Sequence, residues 1–195
     1  MSIWLVRHGE TALNAARVLQ LPETPLSERG LEQAAQLAVR LRSLPIERVL
    51  SSDYARATMT AELAARALGL PLELEPLLQE RSFGALRGTA YADLPANVFE
   101  RDFSPPGGES WDQFRSRVAR AWSAVSERAA KLAGDLLVVS HGLVCSVVAE
   151  QYLSVTRDAP RAFPNASLTR IDGPPWRAAL LACTAHLEAA ALERH

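Results

Sequence analysis

The chain of 195 residues has only two cysteines, Cys145 and Cys183, and neither belongs to a CxxC or a Cys/His cluster. That excludes a disulfide framework and a structural zinc site of the usual spacing. No apolar run approaches the ~18 residues that a membrane-spanning helix needs. The opening segment Met1-Ser2-Ile3-Trp4-Leu5-Val6-Arg7-His8 is apolar only briefly and has no basic stretch ahead of it, so it does not read as a secretory signal. A cytoplasmic protein without membrane association is expected. Charge of one sign is also lacking: Lys+Arg 21 against Asp+Glu 22 leave a net charge of -1. This argues against a nucleic-acid binder, although a local basic pocket stays compatible with it. Lysine itself is nearly missing, Lys131 being the only one. Arginine grips oxyanions through a planar fork, a bias useful for handling phosphate, but codon usage accounts for most of it.

The remaining composition, 48% hydrophobic and 22% charged, is that of a packed globular protein. One domain over 1–195 is expected at this length. Strands and helices alternate along it. Ile3 to Val6 suits a short buried strand that ends abruptly at Arg7-His8-Gly9-Glu10. Ser27 offers a helix N-cap, with Leu31, Ala34, Ala35, Ala38 and Leu41 on one face and Pro45 as the stop. Val49-Leu50 forms a second strand running into Ser51-Ser52-Asp53, and Ala55 to Leu68 a helix closed by Gly69 and Pro71. From about 82 to 108, Gly and Pro recur often enough to predict a covering loop or small helical cap. Ser110 and Gln113 have capping-box spacing before an apolar stripe of Trp111, Phe114, Val118, Trp122, Val125, Ala129 and Leu132, stopped by Gly134. That stripe reads as packing.

Leu136 to Val139 is a continuous apolar run, the mark of a strand covered on both faces, and it stops at Ser140-His141-Gly142. A helix through Val144, Val147, Val148 and Tyr152 follows, in which Cys145 reads as a core residue. Ser167 to Ile171 and Ala178 to Cys183 are two further strands around a Pro174-Pro175 turn, and His186 and His195 fall in an Ala-rich tail expected to be exposed. The pattern predicts an α/β three-layer sandwich, a mainly parallel sheet flanked by helices.

In such sheets ligands collect outside the carboxyl ends of the strands, where His8 and His141 both fall. A histidine there can act as a nucleophile when one ring nitrogen is unprotonated and the other is held by a hydrogen bond. Arg7 beside it offers a donor fork for phosphate. His141 precedes a helix N-terminus, which favours anions. Taken singly, each histidine reads as an ordinary hydrogen-bonded residue; the pairing points to a site without identifying a reaction.

Several segments sharpen this. Arg7-His8-Gly9-Glu10-Thr11 carries R-H-G-E-T, with Asn14 downstream. Thr24 to Gly30 resembles a P-L-T-x-x-G element, and Ser51 to Ala57 an S-S-x-x-x-R-A motif with Arg56. Glu80 with Phe83-Gly84 resembles an acid-bearing loop, and Ser140-His141-Gly142 a second-histidine motif. In this order, from residue 3 to beyond 142, the segments resemble the histidine phosphatase superfamily, which includes the cofactor-dependent phosphoglycerate mutases.

The resemblance implies that His8 attacks phosphorus and forms a phosphohistidine, with Arg7, Arg56 and His141 around the phosphoryl oxygens. Asn14 would add a neutral donor, Gly142 and Gln20 would touch the phosphate side, and Glu80 would protonate the leaving oxygen. In the bland reading Glu80 only pairs with Arg81. No metal ligands and no cofactor are called for, and the implied partner is a small phosphorylated metabolite. Nothing in the sequence specifies an oligomeric state.

Hydrolysis is the first expectation, because only Thr89 to Pro106 separates Gly88 from Gly107, where the mutases carry a longer basic insertion. The segment Glu80-Arg81-Ser82-Phe83-Gly84-Ala85-Leu86-Arg87-Gly88 nevertheless resembles the mutase loop. Arg87 departs from the acidic residue common in the small phosphatases. Mutase activity is therefore the alternative, and a non-catalytic phospho-ligand module a second one.

Overall fold

In the computed structural model, residues 1–153 and 163–187 are described. Six strands form one sheet in the order β3-β2-β4-β1-β5-β6. Strands β1 (Ser2–Arg7), β2 (Ile46–Ser51), β3 (Leu72–Leu74) and β4 (Asp135–Ser140) run parallel, whereas β5 (Leu168–Asp172) runs antiparallel to β1 and β6 (Arg177–Cys183) antiparallel to β5. The central strand β4 is buried along its whole length. Its side chains alternate between two cores, as the two-residue period of a strand requires.

Leu136 and Val138 face α4 (Trp111–Ala129) and α5 (Gly142–Tyr152), packing with Phe114, Val118, Val125 and Val147. Leu137 and Val139 face α2 (Glu28–Leu41) and α3 (Ala55–Leu68), packing with Leu37, Leu41, Ala57 and Ala61. The result is the expected sandwich of helices, sheet and helices. A short helix, α1 (Ala12–Ala15), follows β1. Among the described residues no helix is long and apolar enough to cross a membrane.

Local signals hold at the helix ends. Ser27 accepts from the Gly30 N–H at 3.0 Å, and Ser110 and Gln113 form both halves of a capping box. Gly69 closes α3 in the left-handed conformation, at φ 69°.

The helical stripe of α2 differs from the expected one. Gly30, Ala34, Leu37, Ala38 and Leu41 face inward, while Leu31 and Ala35 are exposed. The rotation is set by Gly30, which lies so close to the loop after β1 that a Cβ there would stand 1.9 Å from the Glu10 carbonyl oxygen. Helix α4 ends at Ala129, ahead of Gly134, and Trp111 and Leu132 are only partly buried. β3 was not legible as a strand, being three residues long with no fully buried side chain. His186 is half-buried where exposure was expected, and burial lowers its pKa. The tail beyond residue 187, with His195, lies outside the described residues.

Candidate active site

Three strand ends are stitched together above the sheet. The His8 N–H donates to the Ser140 carbonyl at 2.9 Å, and the Ser52 N–H donates to the Val139 carbonyl at 3.0 Å. His8 follows β1, His141 caps α5 just after β4, and Arg56 stands in the first turn of α3, after β2. Parallel neighbours ending at one level bring these three residues together from distant parts of the chain. The two imidazole centroids are 5.2 Å apart.

The tautomer of His8 follows from its partners. Its Nδ1 lies 2.7 Å from the Gly9 carbonyl oxygen, which can only accept, so Nδ1 carries the proton. Nε2 keeps its lone pair and receives a hydrogen bond from Arg56 Nε at 3.2 Å. Burial, with Arg56 and Arg7 adding repulsion, holds the His8 pKa well below its ordinary value, so the ring is neutral. His141 is neutral for the same reasons. Its Nε2 lies 2.8 Å from the Ser52 hydroxyl, which already accepts from the Tyr54 N–H. With that hydroxyl giving its own proton to Nε2, the ring proton sits on Nδ1.

Of the buried side-chain polar atoms without a protein partner among the described residues, two belong to the site: Arg7 Nε and His141 Nδ1. Another nitrogen of the Arg7 guanidinium donates to the Phe163 carbonyl. Burial lowers the pKa of Arg7, and that of Arg56 to about 10, so both remain cations near neutral pH. Arg56 is also fixed by a bond to the Leu21 carbonyl at 3.0 Å.

Arg7, His8, Asn14, Gln20, Arg56, Glu80 and Gly142 all line one cavity of about 300 Å³. That is the lower end of the size range for small-molecule sites. Asn14 Oδ1 lies 3.2 Å from Asn165 Nδ2, which also reaches the His8 carbonyl at 3.1 Å, so the side chain of Asn14 is tied to the loop after β1. Gln20 accepts from the Thr11 hydroxyl at 2.8 Å. Gly142 packs over Arg7: a Cβ there would stand 3.4 Å from Arg7 Nε.

Glu80 is held between two backbone donors, with the Arg81 N–H at 3.0 Å from one oxygen and the Leu143 N–H at 3.2 Å from the other. Burial raises its pKa even against those bonds and the nearby Arg56 and Arg7. Arg81 does not neutralise it by direct pairing. Its guanidinium is spent on the carbonyls of Glu109, Val98 and Phe103, which ties the 82–108 segment together. That segment contains two single 3-10 turns, Gly84–Leu86 and Tyr91–Asp93.

Sequence reasoning missed part of the cavity wall. Tyr54, Tyr91, Phe99, Leu143 and Phe163 line it, and Arg87 reaches it with its guanidinium 3.0 Å from the Tyr54 hydroxyl. These positions have no shared spacing, so no local pattern marks them. Cys145, by contrast, is fully buried in α5, and burial pushes its thiol pKa up, which makes it a poor nucleophile.

Against known proteins, a family model described as "Histidine phosphatase superfamily (branch 1)" matches residues 3–185. A probable phosphoglycerate mutase GpmB of Erwinia tasmaniensis is 33% identical over 192 residues, covering 91% of this chain and 88% of that protein. A crystal structure of phosphoglycerate mutase from Thermus thermophilus superposes with a TM-score of 0.74 at 33% identity, covering 94% of this chain and 99% of the other. A putative alpha-ribazole-5'-P phosphatase from Escherichia coli gives a TM-score of 0.79 at 28% identity, covering 93% and 95%. With its fold and motifs agreeing along nearly the whole sequence, the chain belongs to branch 1 of the histidine phosphatase superfamily.

Proposed function

We propose that this protein is a phosphomonoesterase that hydrolyses a small phosphorylated metabolite through a phosphohistidine on His8. The observation that carries the reading is the neutral His8 ring, whose Nε2 lone pair stands 3.2 Å from Arg56 Nε in a cavity that also presents Glu80. Nε2 attacks phosphorus, and the N–P bond forms as the ester P–O bond breaks. Arg7 and Arg56 offset the charge gathered on the phosphoryl oxygens and His141 adds a neutral hydrogen bond, while Asn14, Gln20 and Gly142 border the same oxygens.

Glu80 gives its proton to the departing oxygen. The carboxylate left behind then takes a proton from water as that water attacks phosphorus and the N–P bond breaks. Inorganic phosphate leaves, with His8 neutral and Glu80 protonated again. Bound phosphate adds negative charge near Glu80 and pushes its carboxyl further toward the protonated form.

The proposal extends to metal independence, because guanidinium groups supply the compensating charge. Among the described residues no group of three or more His, Cys, Asp and Glu side chains is arranged to hold a metal ion. Phosphate release across a panel of small phosphomonoesters, with His8→Ala as control, tests the reading. Release that disappears in the variant supports it; release that persists there overturns it by placing the activity elsewhere than His8, and release from no ester overturns it in favour of a binding module.

One observation favours mutase activity as a second reading. Arg87 lines the cavity and bonds to a neutral phenol, so its charge is available to a carboxylate or second phosphate on the substrate. Incubation with 3-phosphoglycerate and catalytic 2,3-bisphosphoglycerate separates the two: isomer exchange with little free phosphate identifies a mutase.

A further inference from the structure

Glu80 sits on neither helix nor strand, in the segment between the 3-10 turn at Pro76–Leu78 and the 3-10 turn at Gly84–Leu86. A proton donor must nevertheless be held to a fraction of an ångström against the departing oxygen. The source of that precision is a side chain outside the cavity lining. Arg117, on α4, donates to the carbonyls of Leu77 at 2.9 Å, Gln79 at 2.8 Å and Glu80 at 3.3 Å. The same guanidinium makes a two-pronged pair with Glu109, at 2.7 Å on each oxygen. Glu109 in turn accepts from the Ser82 N–H at 2.9 Å. The backbone is thus gripped on both sides of residue 80, once through its carbonyls and once through an amide. The Arg117 guanidinium also lies over the Phe114 ring, 5.2 Å from its centroid, and Phe114 is wholly buried in the core.

We infer that the Arg117–Glu109 pair is a positioning strut that aims the Glu80 carboxyl, coupling the rigid face of α4 to the acid step without touching the substrate. The inference rests on the acid role proposed for Glu80, and it makes that role dependent on a defined support. A bidentate guanidinium–carboxylate pair has directional rigidity that neither a lysine nor a neutral partner reproduces.

The test compares two esters through kcat/KM, which reports the first chemical step. An n-alkyl phosphate needs a proton on its leaving oxygen; 2,4-dinitrophenyl phosphate, whose phenolate leaves unaided, does not. Glu109→Gln and Arg117→Lys are expected to lower kcat/KM for the alkyl ester by about tenfold or more while leaving the dinitrophenyl ester near the wild-type value. In a Glu80→Gln background, Glu109→Gln should cost nothing further on the alkyl ester. A second readout needs no turnover: amide exchange at Arg81 and Leu143, the two donors to Glu80, should accelerate in Glu109→Gln while β1 and β4 stay protected.

Equal losses on both esters, or unchanged exchange at those two amides, would reduce the pair to general structural support and overturn the inference. A wild-type protein inactive on both esters overturns the phosphatase reading instead, and the exchange measurement still decides the strut.

Discussion

The His8 ring stands edge-on to the His141 ring, with 61° between their planes, and burial and nearby guanidinium groups hold both rings uncharged. A protonated His8 would have no lone pair on Nε2 and would place positive charge beside Arg56. The cationic surroundings that the proposed function assigns to a phosphate therefore also keep Nε2 unprotonated, as the proposed attack requires.

Replacing Glu80 by Gln removes the transferable proton with little change in volume. We expect kcat/KM for an alkyl phosphate to fall by about 10²- to 10⁴-fold. Wild-type kcat/KM should decline on the alkaline side as Glu80, whose pKa is raised, loses its proton; the residual activity of the variant should lack that limb. A full alkaline limb in Glu80→Gln would assign the acid elsewhere.

Stability should fall in mild acid. The unfolded chain begins to bind protons at its histidines near 6.5, while His8 and His141 in the fold have pKa values held well below that. More protons on the unfolded side mean that unfolding free energy drops as pH falls through and below that value. The drop is about 1.4 kcal/mol per pH unit for each ring, until the folded group itself titrates. Urea midpoints of wild type and His141→Asn at neutral and mildly acid pH measure it. The variant should show the shallower dependence; parallel curves would mean that His141 is not held neutral.

Much of this arrangement was legible in the sequence because its signals are local. A strand that stops at a histidine, a Ser at a helix start and a Gly at a helix end each act over a few residues. His8, Arg56, Glu80 and His141 could be named from motifs, and the fold brings them together: His8, Arg56 and Glu80 line one cavity, and His141 stands edge-on to His8. What escaped depends on contacts between distant segments. The inward face of α2 is set by Gly30 against Glu10, the clamp on Glu80 comes from Arg117, and Phe163 reaches the cavity from beyond α5. Neither hydrophobic spacing nor local propensity records such pairings.

The Gly30 contact is itself testable. Gly30→Ala would drive a methyl group into the Glu10 backbone, where no flexible side chain can yield. A destabilisation of about 1–3 kcal/mol is expected, accompanied by reduced turnover because the displaced loop carries His8 and Gly9. Wild-type stability and rate would contradict the close approach of α2 to that loop.

Under the proposed mechanism the charge at phosphorus would be met by the guanidinium groups of Arg7 and Arg56, so exhaustive chelation should leave phosphate release unchanged. Activity lost to a chelator and restored by a divalent ion would refute the metal-free mechanism.

The most direct measurement is to quench turnover in alkali, which spares a nitrogen–phosphorus bond, and to map the phosphoryl group by mass spectrometry. A single acid-labile phosphoryl group on His8, absent from His8→Ala, is the expected result. A phosphoryl group on another residue, or turnover that continues in His8→Ala, would contradict it.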